Sequence, residues 1–162
     1  MSTSTLFVTG LAISCAMLSG LLFVFSNFAM KAFSQIPSAS GVAAMQSINR
    51  TILNPGFFSL FFGTASGSLL AAVVALLNWQ HPASLWAVAG AALFLAGCIV
   101  VTATVNVPLN NRLDAADPTS PQSADLWQRY VARWQPWNHL RTAACLLASA
   151  CFAVAALHLA AA

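Results

Sequence analysis

The chain has 162 residues, 59% of them hydrophobic and only 6% charged, with a net charge of +3 at pH 7. A soluble domain carries about a quarter charged residues, so a water-facing globule is excluded: its surface could not be covered. The six Lys and Arg are scattered along the chain rather than gathered into a patch, so the positive charge gives no footprint for a nucleic-acid partner.

Where the charges fall is more informative than their number. No charged side chain precedes Lys31, none occurs at 51–111, and none follows Arg141. A helix needs about 20 apolar residues to cross a bilayer core. Four stretches qualify, at about 6–28, 56–77, 84–106 and 139–160. The expected fold is all-α: one integral membrane four-helix bundle spanning 1–162, with two amphipathic helices on its cytoplasmic side.

The first stretch lacks the basic leader of a signal peptide and exceeds that segment's usual apolar length of about 7–15 residues, so it is expected to be a mature helix. After it, 40–54 reads as an amphipathic helix. Gly41, Met45, Ile48 and Ile52 share one face, while Gln46, Arg50 and Asn54 share another, with Asn49 beside them. Pro55 ends that helix, because the residue before proline avoids the α region.

The second span carries Gly63 and Gly67 in a GxxxG pattern, open to bundle packing or to a homodimer seam. The short 78–83 connection makes spans two and three an antiparallel hairpin. Span three runs into Asn106, Pro108 and Asn110, and 117–121 (Asp-Pro-Thr-Ser-Pro) reads as a loop. At 122–135, Trp127, Tyr130, Val131 and Trp134 form an aromatic stripe opposite Arg129 and Arg133. This second amphipathic helix is expected to lie at the membrane surface, as an anchor or as a lid. Along span four, Ala143, Ala144 and Ala148 offer close packing. Cys15, Cys98, Cys145 and Cys151 all fall inside spans, form no CxxC, and read as small apolar packing residues.

All six basic residues lie in the segments after spans one and three. The positive-inside rule puts that side in the cytoplasm and both termini outside, in the plasma (inner) membrane of the cell. The polar residues collect at the same end: Asn27 after span one; Asn49, Arg50 and Asn54 in the first amphipathic helix; Asn106 and Asn110; then Asn138, His139 and Arg141 at the start of span four. One reading is structural, with Asn138 as a helix cap, Asn106 and Asn110 serving carbonyls freed by Pro108, and the arginines snorkelling to headgroups. The other is a pocket with apolar walls and a polar end, the usual form of a small-molecule site. In either case, these groups are expected to join in one connected network. No metal site is expected: His139 and His158 are about 28 Å apart along a helix at 1.5 Å per residue, and His81 with His158 alone would be too few for a closed zinc site.

Four segments, FSNFAM at 25–30, AAMQSINRTILNP at 43–55, NVPLNN at 106–111 and WQRYVARWQPWNHLRT at 127–142, together resemble the anthrone oxygenase-like family of small four-span membrane proteins. The resemblance runs over nearly the whole chain. It implies oxidation of an anthrone to an anthraquinone by molecular oxygen with no cofactor, although most bacterial members have no assigned role. By position it points to Asn27, Asn49, Arg50, Asn54, Asn106, Asn110, Trp137, Asn138, His139 and Arg141, without individual roles.

The chemistry asks for one base and one oxyanion stabiliser. His139 is the candidate base, since its ordinary pKa lies near neutrality. Arg50 and Arg141, with Asn donors, are the candidate stabilisers, and Trp134 and Trp137 could stack on a ring. Three classes stay open: an oxygenase of anthrone-type or phenolic substrates, a binding protein for a lipophilic quinone-like molecule, and a structural subunit. The expected partners are the bilayer and a lipophilic aromatic molecule, with a homo-oligomer left open by the GxxxG pattern.

Overall fold

A computed structural model of the chain describes residues 2–161. Four of its helices are long and apolar enough to cross a membrane: α1 (Thr3–Ser34), α3 (Pro55–Leu77), α4 (Ala83–Asp114) and α5 (Ser123–Ala160). A fifth, α2 (Ser38–Thr51), is shorter and amphipathic. No strand occurs among the described residues. Large apolar side chains such as Ile13, Met17, Leu69, Leu76, Leu146 and Leu157 stand exposed around the bundle. Water would oppose that surface and lipid satisfies it; the chain is a multi-pass membrane protein.

Local chemistry sets the helix starts. Ser2 caps α1 by accepting from the Thr5 N–H. Asn54 caps α3 by accepting from the Phe57 N–H at 3.0 Å, and Pro55 takes the first helical position, where a missing N–H costs nothing. Between α4 and α5, the Asp117 carboxylate accepts from the Thr119 hydroxyl and N–H. Those two bonds hold its carboxyl below the usual range.

The helices outrun the apolar stretches. The 122–135 segment, expected as a separate surface helix, is the first part of α5, which passes through Pro136 unbroken. The carbonyls and ring contacts that proline disturbs are absorbed within a long, well-packed helix. So one amphipathic helix stands alone, not two. Likewise α1 continues to Ser34 and α4 through Pro108 to Asp114.

Three stretches are wound wider, as π turns: Phe25–Ala29 in α1, and Leu95–Val100 and Thr102–Asn106 in α4. Such turns rotate the following side chains to a new face and recur at functional sites.

Helix α5 packs along both α1 and α4, while α3 packs on α4 and more lightly on α1. The main core lies between them, around Leu11, Cys15, Leu18, Phe94, Cys98, Cys145, Ala148 and Phe152. A second core at the basic end holds α2 down, with Met30, Val42, Met45 and Leu113 packed against Trp127, Tyr130 and Trp134 of α5.

Of the GxxxG pair, only Gly67 sits at a close helix contact: a Cβ there would lie 2.8 Å from Leu11 Cδ2 of α1, while one on Gly63 would meet nothing within 4 Å. A second close seam is between α4 and α5: a Cβ at Gly97 would lie 2.5 Å from the Ala144 Cβ, and one at Gly90 3.2 Å from the Ala148 carbonyl oxygen. Of the three alanines expected to pack, Ala144 and Ala148 are buried and Ala143 is exposed. Gly97→Ala should therefore destabilise by about 1–3 kcal/mol through overpacking, outweighing the roughly 1 kcal/mol gained in helix propensity. Gly63→Ala, with open space around it, should not lower stability. Thermal unfolding of the two variants in detergent checks the pair.

Candidate functional site

The basic end of the bundle encloses a cavity of about 240 Å³. Its walls are mostly apolar, with Leu18, Leu22, Phe25, Phe57 and Phe61 from α1 and α3, and Met45 and Ile48 from α2. Its polar groups are few: Asn49, Arg50, Thr102, Asn110, Asn111, Asp114, Arg141 and the Trp134 indole N–H. This volume exceeds the roughly 150 Å³ of an apolar cavity that holds benzene and lies just under the range for drug-sized ligands, about 300–1,000 Å³.

Helix α5 supplies the polar wall by its periodicity. Trp134, Asn138, Arg141, Thr142 and Cys145 recur at three- and four-residue spacing and all face inward. The Arg141 guanidinium is buried, 6% exposed. Its Nη2 donates to Asn138 Oδ1 at 2.8 Å and its Nη1 to Thr102 Oγ1 at 3.1 Å. The guanidinium carbon stands 5.3 Å from the Trp134 ring centroid, a cation–π contact. Arg141 Nε is buried with no hydrogen-bond partner.

Asn138 is fully buried and organises this end. Its amide nitrogen donates to the Leu22 carbonyl at 2.9 Å and to Ser26 Oγ at 2.8 Å, both on α1. Ser26 Oγ in turn lies 3.0 Å from Thr142 Oγ1, and Ser19 Oγ donates to the Thr142 carbonyl. Asn110 Oδ1 accepts from both the Tyr130 hydroxyl and the Trp134 indole N–H, each at 2.9 Å, which fixes Trp134 between Tyr130 and Phe25.

Not every expected residue is here. The cavity brings together Asn49, Arg50, Asn110, Trp134 and Arg141. Asn106 is buried beside them, donating to the Trp134 carbonyl at 3.4 Å rather than serving Pro108, and its Oδ1 has no partner. Asn138 is not a cap within the unbroken α5; it holds Arg141.

Four residues stand elsewhere. His139 does not line the cavity: it is one residue, about 100° of helix turn, past Asn138, and is exposed. Trp137 is 41% exposed, about 100° of helix turn to the other side of Asn138. Asn27 is exposed, while its neighbour Ser26 points inward. Asn54 is occupied as the cap of α3.

Nor do the polar groups form one network. Arg50 Nε pairs with Asp114 Oδ1 at 2.7 Å, with the arginine largely and the aspartate partly exposed at the cavity mouth, apart from the Arg141 cluster. Gln46 ties α2 to the end of α4 by donating to the Leu113 and Ala116 carbonyls. Asn49 Nδ2 is buried without a partner. Such exposed pairs contribute about 0–1 kcal/mol, so Arg50→Gln should barely change thermal stability, as a melting curve would show.

Sequence reading missed Thr102, Cys98, Thr142 and Ser19 as parts of this end. Thr102 and Cys98 belong to the π-wound stretches of α4, whose inward face an ordinary helical wheel misplaces. Thr142 and Ser19 sit at helical spacing from Asn138 and Ser26, which is a usable signal. Among the described residues, no group of three or more His, Cys, Asp or Glu side chains is gathered to hold one metal ion.

A family model described as anthrone oxygenase matches residues 57–151. The chain belongs to the anthrone oxygenase family. No curated protein and no solved structure matches it. The anthrone oxygenase match takes in α3, α4 and α5 to Cys151, and with them Thr102, Asn106, Asn110, Asp114, Trp134, Asn138 and Arg141. Asn27, Asn49 and Arg50, on α1 and α2, lie outside it.

Proposed function

We propose that this protein oxidises a lipophilic, enolisable ring ketone of the anthrone type, or a related phenol, with molecular oxygen and without a cofactor. The observation that carries the reading is the buried Arg141 guanidinium at the wall of an apolar cavity, with its Nε unpartnered. A buried cation is costly unless its donors are used. An enolate or phenolate oxygen against the guanidinium would pair with the charge, and a small shift of the side chain would bring the covered Nε–H to it; the low-dielectric surroundings strengthen that attraction. The apolar walls suit the flat ring, with Phe25, Phe57, Phe61 and Trp134 around it.

The reaction balances with oxygen alone. Removing a proton from the ring CH₂ gives an enolate whose oxygen lies at Arg141. The enolate carbon is electron-rich and forms a bond to O₂, leaving a peroxide on that carbon. Loss of water, using the remaining C–H, makes the second carbonyl. One oxygen atom enters the product and the other leaves as water; the carbon loses four electrons and O₂ gains them. The purified protein should therefore consume about one O₂ per ketone and release the quinone. Binding of the ketone without O₂ uptake would favour a carrier of lipophilic ligands instead.

The membrane placement belongs to the same proposal. The basic ends of α1, α2, α4 and α5 would face the cytoplasm of a plasma membrane, with both termini outside, since all six Lys and Arg lie there. A reporter fused after the C-terminus should be active only when its activity requires export; cytoplasmic activity would invert the topology.

A further inference from the structure

We infer that Asp114 is the base that takes the substrate's ring-carbon proton, and hence that the substrate presents its oxygen and its acidic C–H on opposite edges of one ring. The inference rests on the oxygenase reading above, and it fills the place left by His139, which stands outside the cavity. The titratable side chains that line the cavity are Arg50, Cys98, Asp114 and Arg141. Guanidinium groups donate only and cannot accept a proton here. Cys98 neighbours Arg141 at the buried end, where the enolate oxygen is expected, so it faces the wrong edge of the ring. Asp114 is the one carboxylate in the lining.

Its setting suits the role. Oδ1 accepts from Arg50 Nε at 2.7 Å, which fixes the side chain's direction across the α2–α4 mouth. Oδ2 is engaged by no side chain among the described residues. The carboxylate is partly exposed, at 42%, so a proton it takes can pass to water.

The spacing sets an upper bound. Arg141 is bonded to Thr102, and residues 102 and 114 are separated by at most about 18 Å of helix at 1.5 Å per residue. The wide turns of α4 shorten that span, and both side chains line the same cavity. A six-membered ring with a contact of about 3 Å at each edge needs roughly 10 Å. In the step itself, the C–H bond breaks, its proton goes to the Asp114 carboxylate, and its electron pair becomes the enolate, with the negative charge on the oxygen beside Arg141. No oxidant is needed until O₂ arrives.

That separation gives a test independent of oxygen. Purified protein held anaerobically in D₂O with an anthrone should exchange the CH₂ hydrogens far faster than buffer does. Asp114→Asn should lower this exchange by at least about 10²-fold, the smaller contribution of a general base. It should still bind the unreactive quinone product, read by tryptophan fluorescence, and its residual rate should rise with hydroxide concentration. Asp114→Glu should recover part of the exchange.

Undiminished exchange in Asp114→Asn, with wild-type protein active, overturns the inference and leaves the oxygenase reading in place. Loss of exchange in Cys98→Ala but not in Asp114→Asn overturns it in favour of the thiol. Wild-type protein that neither exchanges the hydrogens nor consumes oxygen overturns the reading and the inference together.

Discussion

Arg141→Met should lower turnover of an anthrone by about 10²–10³-fold, the loss seen when one oxyanion donor is removed from a preorganised site. The fall should be in kcat more than in KM, because the charge being stabilised is larger in the transition state than in the neutral ketone. The protein should still fold. Losing the guanidinium leaves Asn138 Oδ1 and Thr102 Oγ1 without their donor, at about 1–3 kcal/mol per buried group. It also removes a buried cation, whose desolvation is itself costly, and the methionine fills much of the space. The two effects oppose, so catalytic loss and folding separate. Arg141→Lys should restore little, since a lysine keeps the charge but not the fork that reaches Thr102, Asn138 and the cavity at once. His139→Ala, by contrast, should leave turnover unchanged, because that ring is exposed and lines no part of the cavity. Steady-state kinetics on the three variants decide the matter.

Asn138→Leu should be the most destabilising single change at this end. Asn138 makes three bonds to groups on α1 and α5: it donates to the Leu22 carbonyl and Ser26 Oγ, and accepts from Arg141 Nη2. A leucine of similar volume fills the space but satisfies none of them. With each orphaned buried group costing about 1–3 kcal/mol, the sum is a large share of a typical stability of about 5–15 kcal/mol.

Asn138→Asp distinguishes the donors from the acceptor. It keeps an acceptor for Arg141 and loses both donations to α1. Its carboxylate would also neutralise the guanidinium, so this variant should unfold at a higher temperature than the leucine variant yet turn over poorly. Equal melting of the two would mean that the Arg141 bond contributes nothing to the fold. Tryptophan fluorescence during heating, in detergent, reads both.

The four spanning helices are legible because bilayer physics writes them plainly: no charge at 51–111, or after Arg141, leaves only one kind of solvent for those segments. Their ends are not legible, because hydropathy marks the lipid rather than the helix. Residues 107–114 and 123–138 are polar or aromatic yet helical, and Pro108 and Pro136 look like breaks while packing carries the helix through them.

The site was half legible for a related reason. Arg141, Asn110, Asn49 and Arg50 are legible because polar groups at one membrane depth need partners, and Trp134 because it belongs to an aromatic stripe whose rings could stack on a flat ligand. His139 stands out in the sequence for its chemistry rather than its place on the helix, and the spacing of Trp134, Asn138, Arg141, Thr142 and Cys145 turns it outward. Thr102 was hidden for another reason. The wide turns of α4 bring it round to Arg141, and nothing in the run from Leu95 to Asn106 marks where a helix will widen.

The central claim is that the cavity under Arg141 receives the oxygen of a lipophilic ring. The most direct test is a structure of the protein with an anthrone bound in the absence of oxygen. The account predicts the ring between Phe25, Phe57 and Trp134, its ketone oxygen about 3 Å from the Arg141 guanidinium, and its CH₂ turned toward Asp114 at the end of α4. A ring bound elsewhere, or seated in the cavity with its oxygen facing the apolar wall away from Arg141, would contradict it.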